Sequence, residues 1–365
     1  MKILIICNAS TGLLTFRGML IKELIAKKNN ISVIVPKTSE EQEINAEIGL
    51  ERLGCKLIRI PIERRGINPI WDSILLYRYF VTIKRVKPGL VMTYTIKPNI
   101  YGGFVSRILS VPYAVNVTGL GSTFQKSGTL KKLVTIMYRI ALKKAKIVFF
   151  ENVENRDVLV DTRIVPEEKT HVLAGAGVDL EHFRYLDYPK EETMTKFLFI
   201  GRVMKEKGVD ELFNAMQALN SKGYICSLDV LGRFEENYLI KIQQYEKEGW
   251  LHYRGYQKDI KPFVERCHCV VLPSWHEGMA NSNLECAAMG RPVITSDIHG
   301  CLEAVEEGVS GFLCEKQNAD NLSDIMKKFI ELPYEKKIKM GIAGRERMKL
   351  IFDKRKVVNE TIENL

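Results

Sequence analysis

Residues 269–295 read CVVLPSWHEGMANSNLECAAMGRPVIT. Cys269–Leu272 is a continuous apolar run of the length expected for a strand buried on both faces. Pro273 and Ser274 break it, Gly290 and Pro292 end the helix that follows, and Val293–Thr295 is apolar again. Strand, loop, helix and strand in this order make a βαβ unit that joins parallel neighbours. Ligands of such sheets bind outside the carboxyl ends of the strands, so the loop after Leu272 is where chemistry is expected. Glu277 lies in that loop, and Gly278 beside it lets the backbone come close to a ligand. Glu285 falls in the first turn of the next helix. Ser282-x-x-Glu285 also matches a capping box, so the residues leave Glu285 open between a cap and a ligand.

The same alternation extends outward from this unit. Lys196–Ile200 reads as a strand, and the loop after it is GRVMKEKG, Gly201–Gly208. A helix opens at Val209, with Leu212, Phe213, Met216 and Leu219 on its apolar face. Arg202 and Lys207, beside the unpaired N–H groups of a helix start, suit a diphosphate. Ser227–Leu231 and Gly311–Leu313 are further strands. The first half repeats the pattern, with strands at Ile3–Cys7, Ile31–Val35, Leu57–Ile62, Leu90–Thr93, Ala114–Val117 and Ile147–Phe150. Helical stretches are expected at Phe16–Lys27, 71–85, 99–109 and 129–144. The polar run DYPKEE, 187–192, reads as a linker. The expected fold is α/β, two doubly wound Rossmann-like domains at 1–186 and 187–345. A C-terminal helix over 346–365 is expected to pack back on the N-terminal domain.

With 365 residues, 46% hydrophobic and 27% charged, the chain has the composition of a globular protein of two domains. No apolar run approaches the ~18–20 residues of a membrane-spanning helix. The start, MKILIIC, is interrupted by Asn8, Ser10 and Thr11, so it reads as a first strand rather than a secretion signal. The net charge of +10 is uneven. Residues 1–185 hold 28 Lys/Arg against 16 Asp/Glu, and 186–365 hold 26 against 28. Between Lys56 and Lys146 there are 17 basic residues and two acidic ones, Glu63 and Asp72. A basic half predicts a polyanionic partner for that half. The eight cysteines contain no CxxC pair, and Cys267-His268-Cys269 is too close for zinc spacing, so they read as reduced core residues.

Glu277 and Glu285 are seven residues apart in between, an E-x7-E inside EGMANSNLECAAMGRPVITSD, and GRVMKEKG precedes it by some seventy residues. In this order the motifs resemble the retaining glycosyltransferases of group 1, family 4, which have the GT-B fold of two Rossmann-like domains facing across a cleft. Tyr94–Asn99 (YTIKPN) and Asn116–Gly121 (NVTGLG) resemble the bacterial branch that extends polyprenyl-diphosphate-linked sugars. The resemblance implies that Arg202 and Lys207 bind the donor diphosphate and that Glu277 contacts the transferred sugar. It implies that Gly278, Met279, Ala280, Asn281 and Ser282 offer backbone N–H groups, and that Glu285 holds the ribose. The loop after the first strand, Ser10-Thr11-Gly12, would approach the donor phosphates, although relatives often have two adjacent glycines there. Many relatives also carry an N-domain histidine near the donor sugar, whereas this chain has none before His171, and Thr118 stands in that region. Arg17, Lys97, Asn116 and Thr118 are candidates for the acceptor or the sugar.

The implied reaction is transfer from a UDP-sugar, of a hexose or N-acetylhexosamine, to a polyprenyl-diphosphate-linked saccharide. Arg202, Lys207 and helix ends would stabilise the departing diphosphate in place of a metal, and no Asp-x-Asp pair is present. Neither a cofactor nor a metal is expected. Retention by same-face attack is favoured over a covalent intermediate, for which no nucleophile is evident. The basic segment 126–146 interleaves Lys126, Lys131, Lys132, Arg139, Lys143, Lys144 and Lys146 with Leu130, Leu133, Val134, Ile136, Met137, Ile140 and Leu142. This pattern suits an anionic membrane surface, with Arg64, Arg65 and the stretch Trp71–Lys87 adding to it. The expected location is cytoplasmic, peripheral on the inner face of the membrane. A UDP-sugar 2-epimerase shares the two-domain plan, but the His-free first 170 residues argue against it. The basic stretch carries no nucleic-acid-binding motif, and GLGSTF lacks the third glycine of a dinucleotide fingerprint.

Overall fold

The computed structural model describes residues 1–62, 68–121 and 128–365. Arg64, Arg65 and Lys126 lie outside these, as does the side chain of Leu130. The chain forms two compact units, Met1–Ala176 with Arg355–Leu365, and Gly177–Lys354.

The first unit holds seven strands: β1 Lys2–Ile6, β2 Asn30–Pro36, β3 Lys56–Ile60, β4 Leu90–Tyr94, β5 Tyr113–Val117, β6 Ile147–Phe150 and β7 Thr170–Val172. All pair in parallel, in the order β3-β2-β1-β4-β5-β6-β7. Its helices are α1 Ser10–Ala26, α2 Glu41–Arg52, α3 Pro69–Val86, α4 Gly103–Ile108, α5 Thr129–Leu142 and α6 Val153–Asp161. A π-helical turn, Pro98–Gly102, leads into α4. The apolar runs are continuous because helices cover both faces of the sheet. Leu4 and Ile6 of β1 pack with Leu75, Tyr79 and Ile83 of α3, while Ile3 and Ile5 pack with Leu20 and Leu24 of α1. Each such burial contributes roughly 1.5–3 kcal/mol before the entropy of ordering is subtracted.

The second unit repeats the plan with β8 Thr195–Ile200, β9 Cys226–Leu231, β10 Leu251–Gly255, β11 Cys269–Leu272, β12 Val293–Ser296 and β13 Gly311–Cys314. Their order is β10-β9-β8-β11-β12-β13, again all parallel. The helices are α7 Val209–Ser221, α8 Leu239–Glu248, α9 Lys261–Arg266, α10 Asn281–Ala288, α11 Ala319–Ile330 and α12 Tyr334–Ile351, and α13 Lys354–Glu363 follows. In each sheet the strand order reverses once, between β1 and β4 and between β8 and β11. Those are the switch points at which doubly wound sheets open a crevice.

The division differs from the sequence boundaries of 186 and 346, for identifiable reasons. The stretch 177–189 is tied to the second unit rather than lying loose as a linker. Arg291, fully buried, donates to the carbonyls of Leu186 (3.0 Å), Asp187 (2.8 Å) and Val264 (2.8 Å). Arg345 donates to Phe183 and Ala288, and the Tyr188 hydroxyl to the His268 carbonyl. At the other end, 346–351 finish α12 in the second unit. Only Arg355–Leu365 belongs to the first, with Val357 and Val358 buried beside Ile3 and Leu24. All eight cysteines are buried.

Candidate active site

The second switch point brings two loops together because β8 and β11 are neighbours there, with Phe197 beside Cys269. The loop after β8 ends in a 3₁₀ turn, Lys205–Lys207, and Gly208 at φ 72° begins α7. A Cβ on Gly208 would lie 2.0 Å from the Pro273 carbonyl oxygen, so only glycine lets the two loops approach. Trp275 N–H then donates to the Glu206 carbonyl at 2.9 Å, and the Lys205 ammonium sits 5.5 Å from the Trp275 ring centre. This register delivers Lys207 to Glu277. The Lys207 Nζ donates to Glu277 Oε1, and the same oxygen accepts from Ser274 Oγ at 2.8 Å. The pair is mostly but not fully covered, at 15% and 12% side-chain exposure. An ammonium has three donors, so Lys207 can hold Glu277 and a phosphate oxygen together. Arg202 projects further out, 53% exposed, with its guanidinium 3.8 Å from Glu235, a loose pair that leaves it open to an anion.

Glu285 is not a cap. α10 begins at Asn281 with Ala280 before it, which has no capping side chain, so Glu285 is the fifth helical residue. Its carboxyl makes no hydrogen bond among the described residues, and burial pushes its pKa up to about 7 against the opposing charge of Lys354. It is therefore available to a ligand hydroxyl. The backbone from Gly278 to Ser282 is only partly available. Ala280 N–H donates to the Gly300 carbonyl at 2.6 Å and Asn281 N–H to Met279 at 3.0 Å. The N–H groups of Met279 and Ser282 have no such partner among the described residues.

A third loop, after β12, supports the other two, and the sequence reading did not find it. Gly300, at φ 89°, lies so close to Glu277 that a Cβ would be 2.6 Å from its carbonyl oxygen. Glu303 fixes this loop by accepting from Gly300 N–H at 2.7 Å, while its other oxygen bonds His299 Nδ1 at 2.8 Å. The available signal was a short Asp-x-x-Gly stretch at the carboxyl end of a strand, Asp297–Gly300.

The first unit's expected site residues are held internally. The N–H groups of Ser10 and Thr11 that open α1 donate to Glu43 Oε2 at 2.6 and 3.3 Å, and Thr11 Oγ1 donates to Oε1 at 2.6 Å. The anion at this helix start, where Gly12 sits in the first turn, is thus the chain's own carboxylate. Arg17 donates to Glu151 at 2.6 Å, both under 10% exposed, and its guanidinium lies 5.4 Å from the Tyr94 ring centre. Burial raises the Glu151 pKa, with Arg17 opposing. Lys97 pairs with Asp72 at 3.0 Å. Asn116, 3% exposed, donates to the Thr93 carbonyl, and its own carbonyl accepts from Asn99. Thr118, just past β5, is half-buried. Buried charges need such partners, and Arg17 and Lys97 find them within the first unit, while Asn116 is bonded to the backbone.

Residues 187–347 match the family model "Glycosyl transferases group 1", and residues 2–152 match "Glycosyl transferase 4-like". The chain belongs to these glycosyltransferases. This glycosyltransferase is 27% identical over 362 residues to the N,N'-diacetylbacillosaminyl-diphospho-undecaprenol alpha-1,3-N-acetylgalactosaminyltransferase of Campylobacter jejuni, covering 94% of this chain and 92% of the relative. It is 24% identical to the UDP-Gal:alpha-D-GlcNAc-diphosphoundecaprenol alpha-1,3-galactosyltransferase of Escherichia coli, covering 72% and 71%. Its fold matches that of Anabaena HepE, crystallised with UDP and glucose, with a TM-score of 0.80 and 17% identity over 100% and 98% of the two chains. The transferase is thus of the GT-B type, and the epimerase alternative finds no support among these relatives.

Among its described residues, no three His, Cys, Asp or Glu side chains cluster as metal ligands would. No described helix is long and apolar enough to cross a membrane.

Proposed function

We propose that this glycosyltransferase moves a hexose or N-acetylhexosamine from a UDP-sugar to a polyprenyl-diphosphate-linked saccharide, with retention of configuration and without a metal. The observation that carries this reading is the Lys207–Glu277 pair, formed by two loops that meet at the second switch point. Glu277 would accept from hydroxyls of the donor sugar, and Glu285 from the ribose diol. Lys207, Arg202 and the Ser282 N–H would neutralise the diphosphate as the bond from its oxygen to the anomeric carbon breaks. The acceptor hydroxyl attacks on the same face, its oxygen bonds to the anomeric carbon, and its proton passes to the departing phosphate oxygen. Glu277 is engaged by both Lys207 and Ser274, which suits a binding role rather than that of a nucleophile. The Campylobacter jejuni and Escherichia coli relatives, whose names specify undecaprenyl-diphosphate-linked acceptors, support the acceptor class.

The basic first unit supports action at an anionic membrane, peripherally on its cytoplasmic face. α5 buries Val134, Tyr138, Ala141 and Leu142 but leaves Leu133, Ile136 and Ile140 at 46%, 51% and 41% exposure. Lys132, Arg139 and Lys143 are exposed along the same helix and its end, and no acidic residue occurs from 129 to 146. Each basic residue near an anionic leaflet contributes about 1 kcal/mol.

The test is a screen of UDP-sugars against short lipid-linked acceptors, with and without a chelator, and with the anomeric configuration of the product determined. An α-linked product from an α-linked donor, formed equally with chelator, is expected. Inversion or loss of activity in chelator refutes the mechanism.

A further inference from the structure

At the carboxyl ends of β2 and β3 the first unit contains a cavity of about 210 Å³. Its walls are mostly apolar: Pro61 and Ile62 from the chain leaving β3, and Trp71, Ile74 and Leu75 from α3. The two charged groups among its described lining residues differ in kind. Asp72, 6% exposed, is neutralised in place, with Oδ1 accepting from Lys97 Nζ at 3.0 Å and Oδ2 from Asn68 N–H at 3.2 Å. Lys37 is exposed and has no ion-pair partner among the described residues. α3 continues the apolar character outward. Ile70, Trp71 and Tyr77 are 72%, 49% and 69% exposed; by helical spacing Ile70, Ile74 and Tyr77 share one face, and Trp71 stands on its flank above Leu75. The opposite face, with Leu75, Tyr79 and Ile83, already fills the core, so this stripe is not needed for packing the unit.

An unpaired cation next to an apolar cavity and an apolar stripe calls for an occupant that joins an anion directly to a hydrocarbon chain. The volume is below the roughly 300–1,000 Å³ of sites that enclose a drug-sized ligand, so it suits a short apolar segment. A saccharide would need several polar partners for its hydroxyls, and among the described lining residues Asp72 is already paired. Polyprenyl diphosphate has the required pattern, a branched apolar chain ending in a polyanion. We propose that this cavity binds the first isoprenoid units of the lipid-linked acceptor. Lys37 would pair with the adjoining diphosphate, and the exposed face of α3 would lie along the continuing chain. This rests on the acceptor class proposed above.

The experiment compares two acceptors carrying the same saccharide diphosphate, one on a polyprenyl chain and one on a methyl group, with the full-length protein. Trp71→Ala is expected to raise KM for the polyprenyl acceptor roughly tenfold through lost apolar contact, and to leave KM for the methyl acceptor within twofold. Ile74→Ser should act in the same direction. Lys37→Gln should raise KM for both acceptors, while UDP binding measured by titration stays unchanged in all three variants. An equal rise for both acceptors in Trp71→Ala, or no rise in either, overturns the lipid site and leaves the transferase reading standing. Failure of the unmodified protein to use either acceptor overturns the parent reading, and this site with it.

Discussion

The two sheets share one topology, yet their switch points carry opposite electrostatics. At β8/β11, Lys207 and Glu277 hold one another while still partly exposed, Arg202 projects outward, and the Glu285 carboxyl has no hydrogen-bond partner among the described residues. In the first unit, Arg17 is buried against Glu151, Lys97 against Asp72, and the start of α1 against Glu43. The same strand order positions charged loops in both, but in the second the Arg202 guanidinium is 53% exposed and the Glu285 carboxyl makes no hydrogen bond among the described residues. Topology determines where a site can be. Whether the charges there are already satisfied determines whether it is one.

The largest effect that would break this contrast is on activity. Glu277→Ala or Lys207→Ala should lower kcat/KM by ~10³-fold or more, about 4 kcal/mol of transition-state stabilisation, with melting temperature nearly unchanged. Near-normal turnover in either variant would remove the second switch point as the catalytic one. Next comes a stability effect in the first unit. Arg17→Leu leaves Glu151 buried without its partner and should cost on the order of 3–5 kcal/mol in urea unfolding, while adding Glu151→Leu restores most of it. A stable Arg17→Leu protein with weakened substrate binding would show instead that Arg17 is an open ligand group.

Glu285 gives the smallest and most specific test. Its folded pKa of about 7 lies above the ~4.3 of an unfolded glutamate. As pH rises from about 4 to 7 the unfolded chain loses this proton first, so the folded state loses stability across that window. Glu285→Gln removes the cost and should be more stable than the parent at pH 8, on the order of 3–4 kcal/mol, but nearly equal at pH 4. The same variant should raise KM for the UDP-sugar about tenfold, since an amide accepts less strongly from a diol. A Glu285→Gln protein with unchanged donor KM would make the residue merely a buried acid.

Much of the architecture was legible because buried parallel strands appear as apolar runs. β1, β4, β5, β8 and β11 were found to within a residue or two. β7, three half-buried residues, and β10, with exposed Arg254, were missed because edge strands lack that signal. α2 escaped as well, since EQEINAEIGLER buries two of its glutamates and keeps Ile44 and Ile48 exposed, against the usual pattern. The candidate donor residues were legible as motifs in two loops. Their support from Ser274, Gly300 and Glu303 was not, because that support is geometric and has no local period.

Read alone, the sequence determined two doubly wound sheets, a basic first half and two loops with the right cations and carboxylates. Helical and strand periods, glycine positions and charge counts are local properties, written over a few residues at a time. Only the tertiary structure decided which charges were already neutralised, since the partner of Arg17 lies 134 residues away and that of Ser10 lies 33. Desolvation and pairing depend on what packs around a group. That is why the unbonded, buried carboxyl of Glu285 and the pairing of Arg17 and Lys97 became visible only once the chain was folded.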